Sequence, residues 1–191
     1  MSLDSALRPG DALLIVDLQN DFLPGGSLAV ADGDRVVAPI QGWVARFAAA
    51  GAPIFATRDW HPEDHCSFRA AGGPWPPHCV AGTNGAAFAP GLALPAGAVV
   101  VAKATRRDAD AYSGFAGTDL DRRLREAGAR RLFVGGLATD YCVLNTVLDA
   151  LRLGYAVVVL TACVRAVEVA AGDGERALAA MRAAGAVALE D

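Results

Sequence analysis

Short apolar runs alternate with stretches of helical spacing along most of this chain. Ala12–Val16 is a continuous apolar run that ends at an acidic residue, Asp17, and this pattern predicts a buried strand. Gly33–Ala50 has apolar residues at helical spacing, and the glycine that follows at Gly51 is typical of a helix end. Pro53–Thr57 predicts a second strand, so the chain begins as a strand–helix–strand unit.

The same alternation returns after a long segment, Arg58–Ala98, which is rich in Pro, Gly and His and shows no periodicity. An irregular segment of about forty residues is too long for a passive connector, so we expect it to carry function. Beyond it the pattern predicts a strand at Val99–Ala102, a helix at Thr118–Ala127 with Thr118 as N-cap, a strand at Leu132–Val134, a helix at Thr139–Leu153, a strand at Ala156–Leu160, a helix at Gly174–Ala184 and a strand at Val187–Leu189.

Repeated strand–helix units whose strands are nearly continuous in Val, Ile and Leu predict an α/β fold with a parallel sheet covered by helices on both faces. We find no internal repeat and no linker, so residues 1–191 are expected to form a single domain. Periodicity does not predict the order of the strands in the sheet.

Composition and charge narrow the range of partners. Hydrophobic residues make up 53% of the 191 residues, enough for a substantial core, and the net charge of −4 argues against nucleic acid or an anionic membrane as partner. Four cysteines without a C-x-x-C pair do not form a disulfide framework, and the N-terminus has no apolar signal core. We therefore expect free thiols and a cytoplasmic location, and the sequence leaves open whether the protein is a homo-oligomer.

Four reactive side chains follow the predicted strands. Asp17 ends the first strand, Asp59 follows the second, Lys103 ends the third, and Cys142 lies in the first turn of the helix after the fourth. In an open α/β sheet the ligand crevice lies outside the carboxyl ends of the strands. A lone carboxylate there could be a helix cap, but four such groups at one edge predict an active site.

Cys142 is the best candidate nucleophile in the chain. A helix N-terminus directs N–H groups and partial positive charge at the thiol, which favours the thiolate, and the same N–H groups can stabilise an oxyanion. The alternative is that Cys142 packs as a small apolar residue, a role that we assign to Cys163 because it follows a buried strand.

All three histidines lie in the irregular segment, with Asp59, His61 and His78 as candidate metal ligands. Imidazole plus carboxylate suits a borderline divalent ion, with Zn²⁺ favoured over Fe²⁺ or Mn²⁺. Three protein ligands leave positions open for water or substrate, which is typical of a functional site. The alternative is a loop held together by histidine hydrogen bonds.

A structural zinc site is a second alternative for this segment. It would use His61, His65, Cys66 and Cys79, but their spacings match no standard zinc finger. We expect His65 to hydrogen-bond the loop backbone instead of binding metal.

Three aromatic residues, Phe22, Trp75 and Tyr112, flank the predicted crevice. Flat side chains around a reactive site suit a planar ring as substrate. The alternative is that each ring only anchors a long loop.

These motifs together resemble those of the isochorismatase-like cysteine hydrolases and, within them, the nicotinamidases. The matching strings are Ile-Val-Asp-Leu-Gln-Asn-Asp-Phe at 15–22, Thr-Arg-Asp-Trp-His-Pro at 57–62, Trp-Pro-Pro-His-Cys-Val at 75–80, Lys103 with Tyr-Ser-Gly-Phe at 112–115, and Gly-Leu-Ala-Thr-Asp-Tyr-Cys-Val at 136–143. The second and third strings are the ones that point to the nicotinamidase branch. Ala104 departs from the pattern, since relatives often have Gly after the lysine.

The resemblance implies a three-layer α/β/α fold around a mainly parallel, six-stranded, doubly wound sheet in which strands one and four are neighbours. It implies a catalytic triad of Asp17, Lys103 and Cys142. It also implies a cis peptide before Ala138, with the Ala138 and Cys142 N–H groups as oxyanion hole. The resemblance assigns the metal to Asp59, His61 and His78.

The activity that the resemblance implies is hydrolysis of nicotinamide to nicotinate and ammonia through a thioester, in NAD salvage, with pyrazinamide as a further substrate. The alternatives are an amidase acting on a carbamoyl or ureido group, a metal-free isochorismatase, and a noncatalytic metal-binding or redox protein. The noncatalytic protein would need neither Lys103 nor Asp17, so the placement of these two residues discriminates.

Overall fold

The sheet has six strands, all parallel to their neighbours. The structure is a computed structural model that describes residues 6–190. Its strands are β1 Asp11–Val16, β2 Ile54–Asp59, β3 Val99–Lys103, β4 Arg131–Leu137, β5 Ala156–Arg165 and β6 Val187–Leu189. Their order is β3-β2-β1-β4-β5-β6, so the prediction of a six-stranded sheet with strands one and four adjacent is confirmed.

Helices cover both faces of this sheet. They are α1 Val37–Ala49, α2 Leu120–Glu126, α3 Leu144–Arg152 and α4 Asp173–Ala183. Successive strand side chains point to opposite faces. Ile15 of β1 therefore packs with Phe47 of α1 in one core, whereas Leu14 packs with Leu124 of α2 and Val147 of α3 in the other. The fold is the expected three-layer α/β/α arrangement.

The order in which strands are added to the sheet reverses between β1 and β4. Strands β2 and β3 extend the sheet on one side of this pair, and β5 and β6 extend it on the other side. At this switch point the two strands end together, since Val16 pairs with Gly136. A side-chain carbon at Gly136 would lie 1.9 Å from the Val16 carbonyl oxygen, and Gly136 has a φ of 129°. Only glycine permits this close approach, which brings the ends of both strands to one crevice.

The prediction that Thr118 caps α2 is wrong. The helix begins at Leu120, and Asp119 occupies the N-cap position. The Thr118 hydroxyl donates to the Gly114 carbonyl at 2.6 Å and accepts the Leu120 N–H at 3.3 Å. It therefore closes the turn before the helix.

Two other elements differ from their predicted bounds. The helix predicted from Thr139 opens with a π-helical turn, Thr139–Val143, in which the Val143 N–H donates to the carbonyl of Ala138 five residues back, and only then becomes α3. Strand β5 continues beyond the predicted end at Leu160, because half-buried Thr161 interrupts the apolar run without interrupting the strand. Both differences lie beside the crevice.

The irregular segment between β2 and β3 contains one short 3-10 turn, Arg69–Ala71, and is otherwise built of turns and isolated bridges. Backbone hydrogen bonds tie it to the turn after β1, from Asn20 N–H to the Ala87 carbonyl and from Ala89 N–H to the Leu18 carbonyl. Within residues 6–190, no helix is both long and apolar enough to cross a bilayer.

Candidate active site

Asp17, Lys103 and Cys142 meet at the crevice. Lys103 Nζ lies 2.9 Å from Asp17 Oδ2 and 3.4 Å from Cys142 Sγ. The side chains of Asp17 and Lys103 are completely buried. Three separate elements supply these groups, namely the end of β1, the end of β3 and the π-helical turn after β4.

Neighbouring groups fix the orientation of the triad. Thr57 Oγ1 donates to Asp17 Oδ1 at 2.7 Å, while Asp17 Oδ2 has only the ion pair with Lys103 and receives no aligned N–H or O–H bond from the described residues. Lys103 also donates to Asp59 Oδ1 at 2.5 Å and to the Ala111 carbonyl at 2.9 Å. Asp17 Oδ2 is therefore the carboxylate oxygen available to the thiol.

Burial dominates the electrostatics of the triad. It raises the pKa of the Cys142 thiol well above its ordinary value, although Lys103 opposes this. Burial therefore opposes the effect of the helix N-terminus, which by itself favours the thiolate. Burial also raises the pKa of Asp17 against the opposing charge of Lys103.

Lys103 is the fixed charge of the site. Burial by itself lowers the pKa of its ammonium, but Asp17 and Asp59 raise it well above its ordinary value. Lys103 therefore stays protonated, and the mobile proton lies between the Cys142 thiol and the Asp17 carboxyl.

Ala138 lies directly before the π-helical turn. The peptide bond between Leu137 and Ala138 is cis, as the family resemblance implies. The Ala138 carbonyl accepts the N–H groups of Tyr141 and Val143, both at 3.1 Å. Ala138 and Cys142 both line the same pocket, so the proposed oxyanion donors lie beside the thiol.

Asp59, His61 and His78 form a second buried cluster in this pocket, with their ligand atoms all within 4.8 Å of one another. His61 Nδ1–H donates to the His78 carbonyl at 2.9 Å, and His78 Nδ1–H donates to the Pro76 carbonyl at 2.8 Å. Because a carbonyl only accepts, Nδ1 of each ring carries a hydrogen, and Nε2 is the nitrogen left to bind a metal ion.

The chemistry of this cluster fits a divalent metal ion. Burial and the neighbouring His78 ring lower the pKa of His61 to about 3, so its imidazole is neutral and able to bind metal. Asp59 adds a carboxylate that lies against Lys103 and beside both rings. Two imidazoles and one carboxylate suit Zn²⁺, Fe²⁺ or Mn²⁺.

His65 holds the loop, as predicted. Its Nδ1 accepts the Ser67 N–H at 3.2 Å, so its Nε2–H donates to the Ala109 carbonyl at 3.2 Å. His61 and His65 form a further ligand-like group with Asp110. In residues 6–190, no such group includes Cys66 or Cys79, which leaves the structural zinc alternative without support.

The pocket is walled by aromatic rings and has an empty volume of about 440 Å³ counted to its open mouth. Phe22, Trp75 and Tyr112 all line it, together with Tyr141. Trp75 Nε1 donates to the Tyr112 hydroxyl at 3.0 Å, and the Trp75 and Tyr141 rings meet edge-on with centroids 5.1 Å apart. This shape and lining suit a small planar molecule.

The remaining cysteines behave as expected. Cys163 is completely buried in the core under α1, and none of the four cysteines forms a disulfide.

Sequence reasoning missed three residues of the site. Gln19 and Thr57 are completely buried polar residues that bond to Asp59 and Asp17, and Tyr141 lines the pocket beside the thiol. Their position in the sequence could have identified them, because each lies within two residues of a predicted site residue.

Known proteins are similar to this chain in sequence and in fold. The chain matches the isochorismatase domain over residues 11–190. It is 41% identical over 199 residues to the nicotinamidase of Escherichia coli (strain K12), with 93% of each chain covered. The pyrazinamidase of Pyrococcus horikoshii, solved in complex with zinc, is 47% identical with a TM-score of 0.92, and the alignment covers 96% of this chain and 100% of that one.

A further solved relative is PnC1 from L. infantum in complex with nicotinate. It is 38% identical with a TM-score of 0.86, and the alignment covers 100% of this chain and 96% of that one. The domain match spans nearly the whole chain, and both the sequence and the fold agree with it. The chain belongs to the isochorismatase family.

Proposed function

We propose that this protein is a metal-containing cysteine amidase that hydrolyses nicotinamide to nicotinate and ammonia. The observation that carries the proposal is that the Asp17–Lys103–Cys142 group and the Asp59, His61 and His78 cluster open into one pocket walled by aromatic rings. Relatives that are nicotinamidases, and a relative solved with nicotinate, support it.

In the first half of the reaction, Asp17 takes the proton of the Cys142 thiol while Lys103 stabilises the charged pair. The thiolate sulfur attacks the carboxamide carbon, and the Ala138 and Cys142 N–H groups stabilise the oxyanion. The C–N bond then breaks as Asp17 returns the proton to the departing nitrogen. Ammonia leaves, and the acyl group stays on Cys142 as a thioester.

In the second half, Asp17 again acts first as base and then as acid. Asp17 takes a proton from a water molecule, whose oxygen attacks the thioester carbon. The C–S bond breaks, the proton returns to the sulfur of Cys142, and nicotinate leaves. The fixed ammonium of Lys103 holds Asp17 in place through both steps, since its pKa keeps it charged throughout.

Asp59, His61 and His78 would hold the metal ion, with Zn²⁺ favoured over Fe²⁺ or Mn²⁺. When bound, the ion supplies a Lewis acid that can bind the ring nitrogen directly or through water. Phe22 and Trp75 sandwich the ring, and Tyr112 fixes Trp75 through the hydrogen bond at its indole. Pyrazinamide has a ring of the same shape, so we propose it as a second substrate.

We place this activity in NAD salvage and in the cytoplasm. The reaction turns nicotinamide into nicotinate, which is a precursor for the synthesis of pyridine nucleotides. A nucleophilic thiol suits a reducing compartment, and none of the four cysteines forms a disulfide.

The test measures ammonia release from nicotinamide by wild type, Cys142→Ala and a chelator-treated sample. We expect turnover in the wild type, none in Cys142→Ala, and a loss on chelation that added Zn²⁺ reverses. Cys163→Ala is the matched control, because it removes an equally buried thiol from the core under α1 and should keep activity. No release by metal-replete wild type would overturn nicotinamide as substrate, and release by Cys142→Ala would overturn the nucleophile.

A further inference from the structure

Gln19 is a buried polar residue that the proposed reaction does not use. It lies just beyond β1, and its side chain is shielded from solvent. Its Nε2 donates to the Asp59 carbonyl at 2.8 Å and to the Ala86 carbonyl at 3.0 Å, while its Oε1 accepts the Asp59 N–H at 2.8 Å. One primary amide thus satisfies both backbone groups of Asp59.

The position of the Gln19 amide follows from where β1 ends beside β2. Strand β1 pairs with β2 through Ile15 and Ala56, and the last backbone bond between the two segments runs from the Asp17 N–H to the Thr57 carbonyl at 3.2 Å. At Asp17 the chain turns away with a φ of 46°. On its β1 side, Asp59 therefore has no strand beside it, although on the other side it pairs with Lys103 of β3.

The Gln19 side chain replaces the missing strand. A primary amide has the same donor and acceptor as a peptide unit, so it continues the hydrogen-bond ladder to the residue where β2 ends. A buried backbone N–H and carbonyl left without partners would be unfavourable, and the backbone at Asp59 would shift to find them.

A shift of the Asp59 backbone would move a carboxylate of the proposed metal site. Its carboxylate contacts Lys103 and lies within ligand distance of His61 and His78. The direction of a carboxylate depends on the backbone that carries it. An amide that fixes this backbone therefore fixes a proposed metal ligand.

We infer that Gln19 is a positioning residue for the metal site, which it preorganises by holding the backbone of Asp59. The inference rests on the proposed role of Asp59 as metal ligand. Gln19 itself is not among the residues that line the pocket or could ligate the metal, so its route to the metal site is its contact with Asp59.

The test compares Gln19→Met with wild type in two metal-binding measurements. Zn²⁺ affinity is measured by competition with a chromophoric chelator, and the ligand geometry is followed by the visible absorption of bound Co²⁺. Gln19→Met keeps the length of the side chain but loses the donor and acceptor. We expect Zn²⁺ affinity to fall about 10–100-fold, as is typical when the partner of a metal ligand is removed, and the Co²⁺ spectrum to change.

Gln41→Met is the matched control. The Gln41 amide also binds a backbone group, accepting the Ala93 N–H at 2.8 Å on the surface of α1, but it has no connection to Asp59. We expect wild-type Zn²⁺ affinity and an unchanged Co²⁺ spectrum. A purely structural role for Gln19 would lower stability without changing the metal affinity or spectrum of the folded protein.

Gln19→Glu decides the question if Gln19→Met does not fold. It keeps the acceptor for the Asp59 N–H but turns a carboxyl group toward two carbonyl oxygens, so we expect at least about a tenfold loss of Zn²⁺ affinity. Wild-type affinity and spectrum in the folded Gln19 variant would overturn the inference, as would a wild type that binds neither metal. Failure of wild type to hydrolyse nicotinamide would overturn the proposed substrate and leave this result unaffected.

Discussion

At the scale of single residues, Asp59 contacts both the catalytic triad and the proposed metal ligands. Its carboxylate bonds to Lys103 in the triad and lies beside His61 and His78 in the metal cluster. Asp17 and Asp59 both face the one ammonium of Lys103, so the ionised group carries one excess negative charge. A divalent cation at Asp59 would offset that charge in a dry site, where an unbalanced charge is costly.

Thr57 tests the assignment of Asp17 as the base. The Thr57 hydroxyl hydrogen-bonds the Asp17 carboxylate and lowers its pKa against the stronger effect of burial. Thr57→Val removes this bond, which favours the protonated carboxyl and raises the pKa further. A hydrogen bond to a charged group contributes about 1.5 kcal/mol, so the acid limb of kcat/KM for nicotinamide should move to higher pH by about one pH unit.

The control for this measurement is Thr161→Val. The Thr161 hydroxyl donates to the Leu189 carbonyl at 2.9 Å between β5 and β6, away from the pocket. Its pH profile should match that of the wild type. An acid limb that stays in place in Thr57→Val, or that moves to lower pH, would contradict the role of Asp17 as base.

At the scale of secondary-structure elements, the crevice depends on β1 and β4 ending side by side. Gly136→Ala should separate them, because the new methyl group would lie 1.9 Å from the Val16 carbonyl oxygen. Steric overlap and backbone strain together should lower the free energy of unfolding by at least about 3 kcal/mol. Urea unfolding of the purified variant measures this loss.

Gly154→Ala is the matched control for that variant. Gly154 also has a positive φ, of 92°, but a side-chain carbon there would meet nothing within 4 Å. Its free energy of unfolding should fall only by the cost of a positive φ at a residue other than glycine, about 1–2 kcal/mol. Equal losses in the two variants would show that the contact between β1 and β4 adds nothing.

Periodicity predicted these elements well because strands and helices repeat their apolar residues at fixed spacings. It could not predict the contacts of Gln19 with Asp59 or of Thr57 with Asp17, since each joins residues 40 positions apart and depends on the register of two strands. The segment between β2 and β3 has no period at all. Its histidines were identified by their chemistry. Which ring nitrogen of His61 and His78 is left to bind a metal ion follows only from the carbonyl oxygens beside them in the structure.

At the scale of the whole molecule, the metal cluster lies at the end of a sheet that has an apolar core on each face. Asp59 ends β2, and most members of the two apolar cores are strand and helix residues, although Phe22 and Ala138 of one core also line the pocket beside the cluster. Metal binding should therefore add stability to a folded protein instead of creating the fold, unlike the case of a zinc finger. The distinction separates a functional metal site from a structural one.

Thermal unfolding with and without Zn²⁺ measures this difference. At free Zn²⁺ of 100 times Kd, binding adds about 2.7 kcal/mol, which for a chain of this length raises Tm by about 5–10 °C. The chelated protein should keep its near-UV circular dichroism and a cooperative transition. His61→Ala should lose the Zn²⁺-dependent increment, because a neutral imidazole at that position is needed to bind the ion. Unfolding on chelation alone would make the site structural, and an equal Tm with and without Zn²⁺ would remove the metal from the proposal altogether.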